Sequence, residues 1–156
     1  MSWYKQKTNK SYIILFSCDR IVIRDLLKGE LYYSEEFKDS SPVSGLIVDK
    51  ENDLENDYLY VFGKQHIYIL DLEKKIIVKD IEIKSGLIGN IIQWNSKYII
   101  VIDKKDKTLK IIDSAKKIIV TEIKLIGAFG DIKKLNHPIY GESLLICGED
   151  ISLWTI

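Results

Sequence analysis

The octet DKTLKIID (106–113) recurs along the chain, and that recurrence limits the possible folds more than any other feature. CDRIVIRD (18–25), KQHIYILD (64–71) and GEDISLWT (148–155) align with it. Asp25, Asp71, Asp113 and Thr155 then fall at equivalent positions, separated by 46, 42 and 42 residues. Each octet has two turn-forming positions followed by an alternating apolar strand that closes on Asp or Thr. A fixed period of this length marks stacked supersecondary units.

The flanks repeat as well. YIILF (12–16), YLYVF (58–62), YIIVI (98–102) and SLLIC (143–147) precede the octets. Ahead of these lie SGLIV (44–48), NIIQW (90–94) and FGDIKKL (129–135), with SWYK (2–5) a weaker match in the first unit. After the first three octets comes a turn and another apolar run: LLKGELYYSEEF (26–37), LEKKIIVKDIEI (72–83) and SAKKIIVTEIKL (114–125). Apolar residues nowhere recur at helical spacing; short Ile, Val, Leu and Tyr runs bounded by turn formers predict strands. The expected units are 1–37, 42–83, 87–125 and 128–156, with four strands a to d in each and strand d missing from the last. Connections this short leave no room for helical crossovers, so each unit reads as an antiparallel meander. A sheet that is apolar on both faces must stack on its neighbours, and radial stacking gives a β-propeller.

These residues resemble the WD-repeat family. DKTLKIID is similar to the family's third strand, with Ile112 where the Trp of its closing Trp-Asp would stand. GEDISLWT keeps that Trp as Trp154 but has Thr155 after it, and NIIQWNSKYIIVID looks like the family's first two strands, with Trp94 near the end of the first. The resemblance covers nearly the whole chain. It implies an all-β propeller of WD-repeat type, about four blades in a partial ring, the last blade lacking its outer strand. It also implies a non-catalytic scaffold that binds other proteins through the d-to-a and b-to-c loops of one rim. On this sequence those loops hold Asp19, Arg20, Lys64, Gln65, Lys104, Lys105 and Glu149. The family's Gly-His dipeptide is absent, so its buried Asp–His–Ser/Thr–Trp network is not expected. Asp106 alone occupies the turn position of that network's Asp, where Cys18, Lys64 and Gly148 stand in the other units. With fewer blades than the family's usual seven or so, the ring is expected to be completed by a second chain or by further blades.

Composition narrows the partners. Twenty-three basic residues balance twenty-three acidic ones, so no net field favours nucleic acid or an anionic membrane. Arg20 and Arg24 are the only arginines, and lysine is the poorer residue for bidentate phosphate or base contacts. A subunit of an RNA-handling complex is therefore the second reading, and proteins are the first. The polar start MSWYKQKTNK and apolar runs of only four to six residues lead us to expect a soluble intracellular, cytoplasmic protein.

Candidate chemistry is sparse, and no catalytic, metal or cofactor site is expected. His66 opens a strand c and His137 lies in LNHPIYG between strands a and b, so the two are not repeat-equivalent. Cys18 and Cys147 sit near the ends of their strands b and read as small buried residues with free thiols. The acidic stretch DKENDLEND (49–57) lacks the central Gly and closing Glu of a calcium loop and reads as a solvated insertion. Lys28, Lys74, Lys75, Lys116 and Lys117 fall in c-to-d turns, and Lys104, Lys105 and Lys107 in a b-to-c turn.

Overall fold

The repeated alternation of β-branched and aromatic residues produces four separate antiparallel meanders. The structure is a computed structural model describing residues 1–37, 44–48, 57–83, 88–94, 97–126, 129–148 and 151–155. The first sheet runs in the order β1 (Ser2–Lys5), β2 (Lys10–Phe16), β3 (Arg20–Asp25) and β4 (Leu31–Glu36). The second is β5 (Ser44–Ile47), β6 (Tyr58–Phe62), β7 (His66–Asp71) and β8 (Ile76–Glu82). The third is β9 (Ile88–Trp94), β10 (Tyr98–Asp103), β11 (Thr108–Asp113) and β12 (Ile118–Lys124). The fourth has three strands among the described residues: β13 (Phe129–His137), β14 (Gly141–Gly148) and β15 (Ile151–Thr155). The only helical turn described is a 3-10 turn at Gln6–Thr8, and no helix among the described residues is long and apolar enough to cross a membrane.

Register repeats along with sequence. Each pairing of strand c with strand d is interrupted at the same place, between Ile23 and Arg24, Ile69 and Leu70, and Ile111 and Ile112. A bulge at that point increases the local twist of the outer strand. The next residue of strand c is the recurrent Asp, and its buried carboxylate builds the turn that follows. Oδ1 of Asp25 accepts the N–H groups of Leu27 and Lys28 at 3.0 and 2.9 Å. Asp71 does the same for Glu73 and Lys74, and Asp113 for Ala115 and Lys116. Each Asp carbonyl also accepts the N–H of the residue four places on, Gly29, Lys75 or Lys117. Those three residues take left-handed backbones, with φ of 70°, 58° and 57°. A side chain that caps its own turn in this way selects Asp over apolar alternatives at the end of strand c in the first three sheets.

Asp25 makes this contribution dependent on pH. The N–H groups of Lys28 and then Leu27 hold its carboxyl below the ordinary Asp value, against the opposing effect of burial. A depressed folded-state pKa adds stability that is complete above the unfolded value of about 3.9. That stability is lost as pH falls through the folded value. The difference in urea midpoint between the parent and Asp25→Asn is therefore expected to be constant from about pH 7 to 5 and to shrink below about pH 4. A difference that persists unchanged in acid would refute the assignment.

The chain divides into two compact units, Met1–Ile83 and Lys84–Ile156. In the first, Trp3, Tyr12, Ile14, Ile21, Ile23 and Phe37 of one sheet pack on Leu59, Val61, Leu70 and Leu72 of the next. Three ring pairs, one stacked, one T-shaped and one tilted, link Trp3, Tyr12 and Tyr32. Polar bonds cross the same seam: Trp3 Nε1 donates to Asp57 Oδ2 at 2.8 Å, and the Tyr32 hydroxyl donates to the Leu72 carbonyl at 3.0 Å. Lys5 Nζ lies 2.8 Å from Glu73 Oε2, and Lys75 Nζ sits over the Tyr32 ring. In the second unit, Trp94, Ile100, Ile102, Leu109 and Leu125 pack on Ile132, Leu144 and Ile146.

Candidate interaction surface

The b-to-c hairpins place the candidate rim residues. In the first sheet, the Ser17 hydroxyl donates to Asp19 Oδ1 and to the Arg20 carbonyl. The Phe37 N–H donates to the Asp19 carbonyl at 2.7 Å, tying the turn to the end of strand d. The Arg20 guanidinium reaches both Asp19 oxygens at 3.3 Å, and both side chains are about half exposed. The Arg20 bond holds the Asp19 carboxyl below its usual range, and Asp19 in turn raises the guanidinium. The result is a fixed ion pair presented to solvent.

The second sheet repeats the device with different side chains. The Gly63 N–H bonds the His66 carbonyl, and the Ile83 N–H bonds the Gln65 carbonyl at 2.7 Å. Lys64 and Gln65 are left exposed on a backbone fixed at both ends. Beside them, His66 Nδ1 lies 2.8 Å from Asp80 Oδ1, and its ring stacks on Tyr68. Tyr68 meets Phe37 of the first sheet with ring centroids 4.7 Å apart. Asp80 follows from the register, because its residue pairs with Tyr68, one pleat from His66. The octet alignment shows the histidine but not the acid that faces it.

In the third sheet the turn is organised by Asp103. Its buried side chain accepts the N–H groups of Lys105 and Asp106, both at 3.2 Å. Asp106 itself is exposed within the turn, so the carboxylate that organises this hairpin stands three residues earlier than the position marked by the family pattern. Lys104 and Lys105 are exposed at the apex. Lys110 behaves differently: it is buried, with Nζ 3.2 Å from Glu122 Oε1 and 3.9 Å from Asp103 Oδ2. Glu149, and 49–56 of the acidic insertion, lie outside the described residues.

The remaining candidates have local structural roles. His137 ends β13, where the alignment placed it in the following loop. Its Nδ1 accepts the N–H groups of Ile139 and Tyr140, and its ring stacks on Tyr140. Both cysteines are free. Cys147 is half-buried, but Cys18 is exposed, contrary to the expectation of a buried thiol, because it sits in the turn after β2 and not on the strand. Among the described residues no group of three or more His, Cys, Asp or Glu is placed to hold a metal ion.

No family model matches the sequence, and no curated protein matches it. Solved structures do. A crystal structure of BBS1N in complex with ARL6DN superposes with a TM-score of 0.70 at 9% identity, over 93% of this chain and 47% of that one. The apo structure of AztD from Citrobacter koseri superposes with a TM-score of 0.61 at 17% identity, over 75% of this chain and 32% of that one. The fold is a partial β-propeller. Its blades are the four meanders, and this chain spans about half the length of the BBS1N chain it resembles.

Proposed function

We propose that this propeller segment is a non-catalytic protein-interaction scaffold of WD-repeat type, binding partner proteins through its b-to-c rim. The observation that carries the reading is the hairpin geometry. Asp19, Arg20, Lys64, Gln65, Lys104 and Lys105 stand exposed on turns held by backbone bonds and, in the third sheet, by the Asp103 carboxylate, whereas buried Lys110 is drawn to Asp103 and Glu122. Rigid display of charged groups lowers the ordering cost of binding and favours specificity. Glu149 belongs to the same set by sequence equivalence. The BBS1N structure, a complex with another protein, supports a protein partner here. Strong bases without a surplus of charge and with only two arginines favour protein over RNA.

The test is charge reversal on the rim. A chain carrying Arg20→Glu, Lys64→Glu and Lys105→Glu is expected to keep its far-ultraviolet circular dichroism and its urea midpoint. Its affinity for a partner identified by chemical cross-linking is expected to fall at least about tenfold, the equivalent of 1.4 kcal/mol. Unchanged affinity would remove the rim from the interface. RNA binding that weakens steeply with salt would replace the proposal with the RNA-handling reading.

A further inference from the structure

Repeat-equivalent positions should share one burial state when every blade has the same neighbours, and two blade faces break this rule. In both units, the face of one sheet bearing Ile14, Ile21 and Ile23, or Ile100, Ile102 and Leu109, packs on the next sheet. The receiving face bears Leu59 and Val61 in the first unit and Leu144 and Ile146 in the second. The repeat places Ile13 and Leu15 of the first blade at the receiving positions. Leu15 is 46% exposed, whereas Val61 and Ile146 are fully buried. Tyr4 and Leu31 are also exposed in that blade. The opposite deficit stands on the fourth blade. Ile151 and Leu153 align with Ile21 and Ile23, but they are 75% and 39% exposed where Ile21 and Ile23 are fully buried and Ile111, the third-blade equivalent of Leu153, is half-buried. Leu145, the cross-strand partner of Leu153, shares that face. The chain thus displays one spare face of each mating type, apolar at Leu15 and Leu31 on the first blade and at Ile151 and Leu153 on the fourth, with one exposed cation on each, Arg24 beside Ile13 and Lys133 beside Leu145.

We propose that a second copy of this chain covers these faces, with the fourth-blade face of each protomer seated on the first-blade face of the other. Head-to-tail contacts of this kind either close into a ring or run on as a filament. Two four-blade chains supply eight blades, which is within the range of closed propellers. The inference rests on blade faces and stands apart from binding at the rim loops.

The oligomeric state of the full chain tests it. Analytical ultracentrifugation is expected to give a particle of twice the 18.1 kDa chain mass. Leu15→Arg and Leu153→Arg are each expected to yield folded monomers, while Leu27→Arg, in an exposed turn outside both faces, remains dimeric. Mixing the two monomeric variants should restore a dimer through the single joint in which both faces are unsubstituted. Where arginine unfolds the sheet, Leu15→Ser and Leu153→Ser make the same comparison. A monomeric parent chain, a dimer indifferent to both substitutions, or a dimer broken by only one of them would overturn the proposal. A ladder of masses beyond the dimer would overturn ring closure.

Discussion

Replacing Trp3 with alanine is expected to lower the stability of the Met1–Ile83 unit by about 3–5 kcal/mol, the range for truncating a large buried aromatic. The indole is only 3% exposed and stacks on Tyr12 at 4.9 Å between ring centroids, with Tyr32 meeting its edge. Its Nε1 donates to Asp57, the residue that precedes strand b of the second blade. Alanine therefore opens a cavity at the seam and also leaves the Asp57 carboxylate without that donor. Trp3→Phe weighs the two effects against each other, because it removes the bond while keeping one aromatic ring in the seam and opening a much smaller cavity than alanine. Its cost should be about 1.5–3 kcal/mol, as for a lost hydrogen bond to a charged group. Urea titration followed by far-ultraviolet circular dichroism measures both variants without relying on the fluorescence of the residue removed. If Trp3→Ala and Trp3→Phe cost the same, packing at the seam contributes little and this account of the core fails.

That residue also shows where the sequence was informative and where it was not. SWYK is the weakest of the four strand-a matches, since it offers one inward residue and no apolar alternation. Yet β1 covers those same four residues, and Trp3 alone supplies its buried contact. The strands elsewhere were legible because Ile, Val and Tyr alternate between recognisable turn residues, and because four copies of one pattern reinforce each other. The recurrent Asp was visible as a position, but its task was not. Spacing cannot reveal that Asp25, Asp71 and Asp113 turn inward to accept two backbone N–H groups each. For the same reason the family pattern draws the eye to Asp106, while the buried group in that hairpin is Asp103. Two carboxylates three residues apart look alike until the backbone decides which one faces the turn. The pairing of His66 with Asp80 needed the c-to-d register, bulge included, and no single-strand pattern contains that.

Gly45→Val is expected to be strongly disruptive, costing about 1–3 kcal/mol or more through overpacking. Gly45 is on β5, paired with Val61, and lies against the Phe16 ring of the first blade. A Cβ there would lie 2.7 Å from the Phe16 ring and 3.1 Å from the Tyr60 carbonyl oxygen. The ring can tilt away, but the carbonyl belongs to a paired strand and cannot. Gly45→Ala should therefore be destabilising but tolerated, whereas valine, which adds two further methyl groups, forces the blades apart. Shortening the opposing side chain tests the cause. Phe16→Leu should weaken the parent on its own account and yet reduce the penalty of Gly45→Ala, so that the double variant is more stable than the sum of the single effects predicts. Residues in direct contact commonly couple by about 0.5–3 kcal/mol in such cycles. Strict additivity would mean that the two blades do not meet at Gly45. The spare faces at Leu15 and Leu153 would then lose their template, because the way this chain stacks its own blades is the pattern from which their partner was inferred.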